Sequence, residues 1–274
     1  MTSSEREKLL GLSLEEKIDY SKKITKEAIE KFGREKLIIA WTGGKDSTTM
    51  LWLYTQVCKE LDMRLPHCMF IDEGDVFDEI LELVNRVKTA WRVEVVTVRN
   101  NDVLSQVKNP GDMVKVKELN ERNRKEITKI GFGEESFPFH PESYVGNHLM
   151  KTVAMNVFIE ENDIRAVSTA IRWDEQLARE EEVYFSLRSN PDHIRVQPIL
   201  HFKERDIWDT IHKYKIPFCS LYHRGYRSLG IKSNTKKFSD MPAWQQDLEN
   251  TTERDGRGRD KEEIMSKLRD LGYM

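Results

Sequence analysis

The sequence predicts an α/β protein with a mostly parallel sheet and helices on both faces. Apolar runs typical of strands occur at residues 37–40, 67–72, 93–98 and 166–170. Helical patterns lie between them, over residues 47–54, 76–91 and 148–161. Strands that alternate with helices in this way pair in parallel through right-handed crossovers. A parallel sheet is covered on both faces, which explains why its strands are short and apolar throughout.

The composition fits one large domain in a reducing compartment. The chain has 274 residues, enough for one large α/β domain with a tail. The net charge of −3 gives no basic signal for nucleic acid, which is therefore not an expected partner. The three cysteines, Cys58, Cys68 and Cys219, form no CxxC pair, which favours the cytoplasm.

The sequence pattern predicts neither a secretory signal nor a membrane span. Residues 1–23 are charged throughout and lack an apolar segment. No run of 18 apolar residues occurs in the chain. We therefore expect a cytoplasmic protein without a membrane partner.

The first strand is preceded by a predicted helix over residues 13–32. Ser13 is its candidate N-cap, and Glu16 stands at the capping-box position three residues further on. Gly33 follows where a glycine commonly ends a helix. Apolar residues at a spacing of four form one face: Tyr20, Ile24, Ala28 and Phe32. We expect this face to pack on the sheet.

A glycine loop between the first strand and the next helix is the strongest functional motif. Gly43 and Gly44 allow backbone conformations that let a ligand approach the main chain. Lys45 supplies a cation, and the N–H groups at the helix start near Ser47 attract a phosphate. The loop is not a Walker A motif, because Asp46 follows Lys45 where that motif has Ser or Thr. An ordinary strand–helix turn is the alternative.

The second strand ends at an acidic residue, Asp72. Ligands of open α/β sheets bind at the carboxyl ends of the strands. A carboxylate there would hold ribose hydroxyls or the adenine amino group, or else it would cap the helix that follows. The sequence leaves both roles open.

Residues 100–143 differ from the rest of the chain. They are rich in Asn, Lys, Glu, Gly and Pro, and their periodicity is poor. A long irregular insertion in a compact domain often serves as a lid or a partner surface, with a solvated loop as the alternative. We expect this insertion within a nucleotide-binding domain over residues 1–235, followed by a tail with a terminal helix over residues 236–274.

Two arginines after the fourth strand are candidates for binding an oxyanion. Arg179 and Arg188 each carry a guanidinium fork that matches the oxygens of phosphate or sulfate. Asp174 and Glu175 precede them and would orient them. A salt-bridged surface helix is the alternative.

The glycine loop and a series of later motifs resemble the phosphoadenosine phosphosulfate reductase family in its broad sense. The loop resembles the PP-loop, Ser-Gly-Gly-x-Asp-Ser, with Thr42 in place of the first serine. The later motifs are Ile171-Arg172-Trp173-Asp174-Glu175, Ile194-Arg195-Val196-Gln197-Pro198-Ile199, Asp206-Ile207-Trp208, Ile216-Pro217, Leu221-Tyr222 and Gly225-Tyr226-Arg227-Ser228-Leu229-Gly230. The resemblance covers roughly residues 20–235.

The resemblance implies an adenine nucleotide alpha-hydrolase-like fold, also called the PP-loop ATPase fold. It further implies an enzyme that cleaves ATP between the α and β phosphates. It implies catalytic roles for Lys45, Arg172 and Arg227 and a Mg²⁺ site near Asp46. With the candidates above, the predicted nucleotide-binding set is Thr42, Gly43, Gly44, Lys45, Asp46, Ser47, Asp72, Arg179 and Arg188.

Three branches of the family compete. The thiol-dependent reductases carry a nucleophilic cysteine near the C-terminus, and no cysteine follows Cys219 here, so a reductase is not expected. Residues 174–196 and the tail motifs of 253–273 resemble the sulfate adenylyltransferase small subunit. Residues 219–235 resemble FAD synthetase. The last two branches both transfer an adenylyl group to an oxyanion and release pyrophosphate.

We expect ATP-dependent adenylyl transfer to a small anionic acceptor, with sulfate as the acceptor and FMN as the alternative. Sulfate would place the protein in sulfur metabolism and implies a GTPase partner subunit. We also expect a homo-oligomer. The rival hypotheses are a nucleotide-binding protein without turnover and a sulfur-insertion enzyme for nucleic acid with Cys219 as sulfur carrier.

Overall fold

The computed structural model describes residues 2–176 and 179–253. The helices are α1 (Ser3–Leu10), α2 (Leu14–Lys36), α3 (Lys45–Glu60), α4 (Asp78–Ala90), α5 (Asn101–Leu104), α6 (Glu121–Lys129), α7 (Tyr144–Asn147), α8 (Ala154–Glu161) and α9 (Glu204–Tyr214). The strands are β1 (Leu37–Ala40), β2 (Cys68–Ile71), β3 (Val95–Val98), β4 (Met113–Lys115), β5 (Ser136–Pro138), β6 (Ala166–Ser168), β7 (Phe185–Arg188) and β8 (His193–Val196). Short 3₁₀ turns cover Val116–Glu118, Trp173–Glu175, Ser220–Arg224, Lys232–Asn234 and Ala243–Gln245.

Six strands form the main sheet, in the order β3-β2-β1-β6-β8-β7. All neighbours are parallel except β7, which pairs antiparallel with β8 at one edge. The predicted mostly parallel sheet is therefore confirmed. After β1 the chain forms β2 on one side of β1, and it later forms β6 on the other side of β1. The carboxyl end of β1 thus lies at a topological switch point, where such sheets bind ligands.

Helices cover both faces of the sheet, as predicted. Ile39 of β1 belongs to the large apolar cluster that includes α2, α3 and α9, whereas Ile38 belongs to a smaller cluster with α8. Neighbouring residues of a strand point to opposite faces, so the two clusters lie on opposite sides of the sheet. None of the helices in the described part of the chain has the length and apolarity needed to cross a membrane.

The N-terminal helix begins as predicted. Ser13 and Glu16 form a capping box, in which the Glu16 carboxylate accepts the N–H of Ser13 at 2.9 Å. At Gly33 the backbone leaves the helical conformation, with φ +68°, and a last turn to Lys36 follows. Ile24 and Ala28 are buried in the large cluster, so the predicted face packs on the sheet.

The prediction that residues 100–143 are irregular is wrong. They form α5, the antiparallel pair β4–β5 and α6 around their own apolar cluster. Val114, Ile127 and Phe137 of this cluster are at most 3% exposed. The regular elements are only three to nine residues long, too short to give a visible period in the sequence. A role of this insertion as a lid or partner surface stays a prediction.

The helix predicted over residues 148–161 begins earlier, at Tyr144, and is not α-helical throughout. Its middle, His148–Val153, is a π-helix that joins α7 to α8. Leu149 from this segment packs in the cluster of the insertion, so the insertion and the helix share one core. Segments of π-helix are often found at functional sites.

The predicted tail is described as far as Glu253. Gln246 is buried against the main domain and donates to the carbonyl oxygen of Gly225 at 3.1 Å. The predicted terminal helix lies outside the described residues, as do the tail motifs beyond residue 253.

Leu149→Ala should destabilise the insertion and the helix that it covers. Leu149 is fully buried in the insertion cluster, and truncation of a buried leucine costs about 2–5 kcal/mol of unfolding free energy. Leu187 on β7 is 72% exposed, so Leu187→Ala is the matched control and should cost about 0.5 kcal/mol or less. Urea unfolding followed by circular dichroism measures both. Equal midpoints for the two variants would contradict the packing role of the cluster.

Candidate active site

A cavity of about 340 Å³ opens at the carboxyl edge of the parallel strands. The ends of β1, β2, β6 and β8 contribute Ala40, Ile71, Thr169 and Gln197 to its wall. The glycine loop after β1 lies between these strand ends, because β2 is on one side of β1 and β6 and β8 are on the other. The position agrees with the rule that α/β sheets bind ligands where their strands end.

The cavity has a wing on each side of the glycine loop. The β2 wing is the part beside β2, lined by Glu73, Asp75, Asn147 and Lys151. The β8 wing is the part beside β6 and β8, lined by Arg179, Arg188, Arg195 and Gln197. The polar lining of the two wings differs in kind, since guanidinium groups are gathered in the β8 wing.

The glycine loop requires a glycine at position 43. Gly43 has φ +75°, in the left-handed region that L side chains rarely adopt. A Cβ atom there would lie 2.8 Å from the Cγ2 atom of Ile80 on α4, which is closer than side-chain carbons approach. The turn makes Gly44 the N-cap of α3 and brings the first residues of this helix to the cavity.

Hydroxyl groups tie the loop together. The Ser47 Oγ atom accepts the N–H of Thr42 at 3.2 Å and lies 3.1 Å from the Thr42 Oγ1 atom. Thr42, in place of the usual serine, thus keeps a hydroxyl in the loop. The N–H of Lys45 donates to the hydroxyl of Tyr222 at 2.9 Å, so this donor already has a partner within the chain.

Lys45 is a buried cation of the site. Its side chain is 1% exposed, and its Nζ atom lies 2.5 Å from Glu253 Oε1 and 3.4 Å from Asp46 Oδ2. Burial lowers the pKa of Lys45, but the charges of Glu253 and Glu204 raise it, and the net shift is upward. Lys45 is therefore positively charged at neutral pH.

Arg172 is a second buried cation beside Lys45. Its guanidinium donates to Asp46, to Asp174 at 2.8 Å and to Glu253 at 2.6 Å. The guanidinium does not line the cavity itself, whereas Asp46 and Glu253, which it binds, both do. The predicted catalytic residue therefore lies directly behind the cavity wall.

Glu253 joins the two cations. One carboxylate oxygen bonds to Lys45 and the other to Arg172, and the side chain is 6% exposed. Burial raises the pKa of Glu253, but the charges of Lys45 and Arg172 outweigh it and bring the pKa far below its usual range. Glu253 is thus a buried anion at the place where the sequence predicts the phosphates of ATP.

Asp46 does not fit the metal site predicted for it. One oxygen bonds to Arg172, and the other lies 3.4 Å from Lys45 Nζ. A carboxylate held between two cations is a poor ligand for Mg²⁺. The contacts of Asp46 instead hold Lys45 and Arg172 side by side.

The structure places Arg227 away from the cavity, contrary to the catalytic role predicted for it. Its guanidinium is buried and bonds to both oxygens of Glu204, at 2.7 to 3.2 Å, and to the Thr251 hydroxyl. Its carbonyl oxygen accepts the Lys45 ammonium group at 3.2 Å. The Arg227 guanidinium therefore fixes the backbone segment whose carbonyl oxygen holds Lys45.

Neither role predicted for Asp72 fits its contacts. Its carboxylate bonds to the Nε atom of Arg99 at 2.8 Å and accepts an N–H of the following turn at 2.9 Å. The N-cap of α4 is Phe77, so Asp72 does not cap this helix. Glu73 and Asp75 line the cavity instead of Asp72.

Arg179 and Arg188 are the two arginines that the sequence predicts to bind an oxyanion. Both line the cavity, and each has an acidic neighbour, Glu175 for Arg179 and Glu182 for Arg188. Arg179 is only 7% exposed, so it does not lie on the surface as the alternative of a salt-bridged surface helix requires. Their binding of phosphate or sulfate stays a prediction.

Arg195 joins them in the β8 wing; it belongs to one of the family motifs, but no site role was predicted for it. Its Nε atom donates to His193 Nε2 at 2.9 Å. Burial and the charge of Arg195 lower the pKa of His193 to about 4, so the imidazole is neutral at neutral pH. Arg195 and Gln197 are two positions apart at the end of a strand, and this period-two spacing was the available signal.

Asn147 and Lys151 were also missed. They lie four residues apart around the start of the π-helical segment, and both line the cavity, as does Met155 a further four residues on. A spacing of four along a predicted helix indicates one face, so the pattern was present in the sequence. No local feature of the sequence indicated that this helix face lines the cavity.

Cys219 does not suit a role as sulfur carrier. It is 1% exposed and does not line the cavity. Burial raises the pKa of its thiol to about 11. A thiol with such a pKa is protonated at neutral pH and is a poor nucleophile.

The sheet order and the glycine loop at the switch point define an α/β fold of the PP-loop ATPase type. The crystal structure of Candida glabrata FMN adenylyltransferase in complex with FMN and the ATP analogue AMPCPP has the same fold. Its TM-score is 0.60 at 18% identity, and the match covers 98% of this chain and 92% of that chain.

The chain belongs to the phosphoadenosine phosphosulfate reductase domain family, which matches residues 36–237. A probable FAD synthase from Schizosaccharomyces pombe is 24% identical over 240 residues, which cover 85% of this chain and 72% of that protein. A sulfate adenylyltransferase subunit 2 from Brucella anthropi is 31% identical over 37% of this chain and 40% of that protein. The family predicted from the motifs is confirmed.

Glu253→Gln should tighten the binding of pyrophosphate. The Glu253 carboxylate competes with an incoming anion for Lys45 and Arg172, whereas an amide carries no charge. We expect the dissociation constant for pyrophosphate to fall about tenfold, or about 1.4 kcal/mol. Isothermal titration calorimetry measures it, with Glu249→Gln, at an exposed ion pair with Arg205, as the matched control. Weaker or unchanged binding in Glu253→Gln would contradict the competition.

Proposed function

We propose that this chain transfers the adenylyl group of ATP to a small anionic acceptor and releases pyrophosphate. The observation that carries the proposal is the pair of buried cations, Lys45 and Arg172, gathered around one anion at the end of β1. Such a cradle suits phosphate oxygens, which form strong hydrogen bonds with charged donors. Similarity to a probable FAD synthase and to a sulfate adenylyltransferase subunit supports the same chemistry.

The proposed reaction needs no covalent bond to the protein. An acceptor oxygen attacks the α-phosphorus of ATP and forms the new P–O bond. The bond from the α-phosphorus to the bridging oxygen breaks, and its electron pair leaves with pyrophosphate. Lys45 would neutralise the pyrophosphate, and the Ser47 hydroxyl would donate to its oxygens. In-line positioning and electrostatic stabilisation then supply the rate.

The two wings of the cavity suit the two substrates. The β8 wing gathers Arg179, Arg188 and Arg195 and therefore suits the anionic acceptor. The β2 wing is left for the nucleoside, with apolar strand ends beside an ion pair of Lys151 and Glu73 at 3.0 Å. The α-phosphate would then lie between the wings, next to the glycine loop.

FMN is the first candidate for the acceptor. The probable FAD synthase matches most of this chain, and the similar Candida glabrata enzyme is seen with FMN and AMPCPP. Apolar walls in a cavity of about 340 Å³ suit an aromatic acceptor better than a small ion. Sulfate, the acceptor predicted from the sequence, is the second candidate and is favoured by the sulfate adenylyltransferase relative. A GTPase partner belongs to the sulfate candidate, whereas a homo-oligomer is compatible with both.

Lys45→Ala should strongly slow the release of pyrophosphate from ATP. Loss of the cation at the leaving group should lower the rate by about 100-fold or more and should weaken ATP binding as well. Lys59→Ala is the matched control, because Lys59 is exposed in the last turn of the same helix. The assay measures pyrophosphate release with magnesium ATP and either FMN or sulfate.

Two results of this assay would contradict the proposal. Full ATP affinity in folded Lys45→Ala would remove the glycine loop from the nucleotide site. ATP binding by the wild type without pyrophosphate release, whichever acceptor is added, would favour the nucleotide-binding protein without turnover.

A further inference from the structure

The carboxylate between the two buried cations comes from a segment late in the chain. Glu253 bonds to Lys45 Nζ at 2.5 Å and to the Arg172 guanidinium at 2.6 Å, and it lines the cavity. Residues 243–253 form a strap that lies against α9 and the 3₁₀ turn Ser220–Arg224. Among the described residues of the strap, Glu253 alone lines the cavity, so its other residues act on the site only through this carboxylate.

The first anchor of the strap is Trp244, which lies outside the cavity. Its ring centroid is 4.8 to 5.5 Å from those of four other rings, Trp208, His212, Phe218 and His223. The buried Gln246 amide next to it donates to the carbonyl oxygen of Gly225 at 3.1 Å. An ion pair of Glu249 with Arg205 is exposed and therefore adds little. Aromatic packing and a buried hydrogen bond thus fix the beginning of the strap.

The second anchor is the buried Arg227 guanidinium. It donates to the carbonyl oxygens of Asp247, Leu248 and Thr251 at 3.0 to 3.4 Å. It also donates to the Thr251 hydroxyl, two residues before Glu253. Hydrogen bonds to a charged donor are stronger than those between neutral groups. The strap therefore delivers the Glu253 carboxylate to a fixed place beside the glycine loop.

The charge of the buried network opposes a bound phosphate while Glu253 is in place. Ion pairs join the cations Lys45, Arg172 and Arg227 to the carboxylates Asp46, Asp174, Glu204 and Glu253. As far as the structure describes it, this network has one carboxylate more than it has cations. Phosphate groups would add negative charge where the low dielectric strengthens repulsion. Departure of Glu253 would balance the network and make a donor of Lys45 and of Arg172 available.

We propose that the strap is autoinhibitory. It holds Glu253 as a tethered mimic of a phosphate group, and the docked strap and a phosphate ligand exclude each other at the glycine loop. The inference rests on the proposed nucleotide site and adds a means of regulating it. A tethered group competes at an effective concentration that depends on how its tether is held. Loosening an anchor of the strap outside the cavity should therefore raise the affinity for phosphates.

The first test loosens the anchor at Trp244. Trp244→Ala removes the aromatic packing, and Trp91→Ala is the matched control at a second half-buried tryptophan outside the cavity and the strap. Isothermal titration calorimetry measures pyrophosphate binding. We expect the dissociation constant to fall about fivefold in Trp244→Ala and to stay unchanged in Trp91→Ala. Weaker or unchanged binding in folded Trp244→Ala would overturn the inference.

The second test repeats Trp244→Ala in the Glu253→Gln variant. If the strap acts through the Glu253 charge, the gain in affinity should largely disappear in this background, because the tethered competitor is already removed. We expect the dissociation constant to change less than about twofold there, a coupling that a double-mutant cycle measures. An equal gain in both backgrounds would show that Trp244 acts on the site without Glu253 and would overturn the inference.

Pyrophosphate binding is measured without turnover, which separates this inference from the proposed function. Strap-dependent binding without pyrophosphate release from magnesium ATP would contradict adenylyl transfer and keep the autoinhibitory strap. No pyrophosphate binding to wild type or to Glu253→Gln would overturn the inference whatever the turnover.

A milder variant serves if Trp244→Ala does not fold. Thr251→Val keeps the shape of the side chain and removes the hydroxyl that bonds to Arg227. We expect the dissociation constant for pyrophosphate to fall about threefold, as the loss of one hydrogen bond from the docked strap allows. An unchanged dissociation constant in this variant would overturn the inference.

Discussion

Buried charge at the end of β1 is the constraint on which the site depends. Lys45 and Arg172 are each 1% exposed, and a buried cation without a partner would cost several kcal/mol. Asp46 and Glu253 neutralise them from the cavity side. The phosphate oxygens of a nucleotide would compete with these carboxylates for the same two cations. The proposed binding of a nucleotide at this place would therefore exchange one anion for another, rather than fill a vacant basic site.

The same network ties distant parts of the fold together. Asp174, which accepts from Arg172, also accepts the N–H of Glu204 at 2.7 Å, at the first residue of α9. Glu204 binds the Arg227 guanidinium, and the Arg227 carbonyl oxygen accepts from Lys45. The turn after β6, the start of α9 and the segment around Arg227 thus meet at one lysine. A change in any of these segments would reach Lys45 through this network of hydrogen bonds and ion pairs.

The sequence predicted the parts of the fold whose signals are local. An apolar run located Leu37–Ala40, and a capping residue with its partner three positions on located the start of α2. The insertion was mispredicted because its apolar residues meet only in three dimensions, from elements as short as three residues. In the site, residue types and places were predictable, as for Arg179 and Arg188, but the directions of side chains were not. Asp72 lies 27 residues from Arg99, and Arg227 lies 23 residues from Glu204, so no pattern along the chain shows that these pairs satisfy each other.

The π-helical segment His148–Val153, which joins α7 to α8, determines which changes in length this helix tolerates. A π-helical turn contains one residue more than the α-helical turn that it replaces. In an α-helix each additional residue rotates the following side chains by about 100° around the axis. The segment therefore lets Asn147 before it and Met155 after it face the same cavity. Deletion of one residue from this segment would restore a regular α-helix, and Asn147 and Met155 would still face the cavity. Insertion of one residue would rotate one of them away from the cavity. A one-residue gap at this helix in an alignment of relatives would thus leave the cavity wall in place.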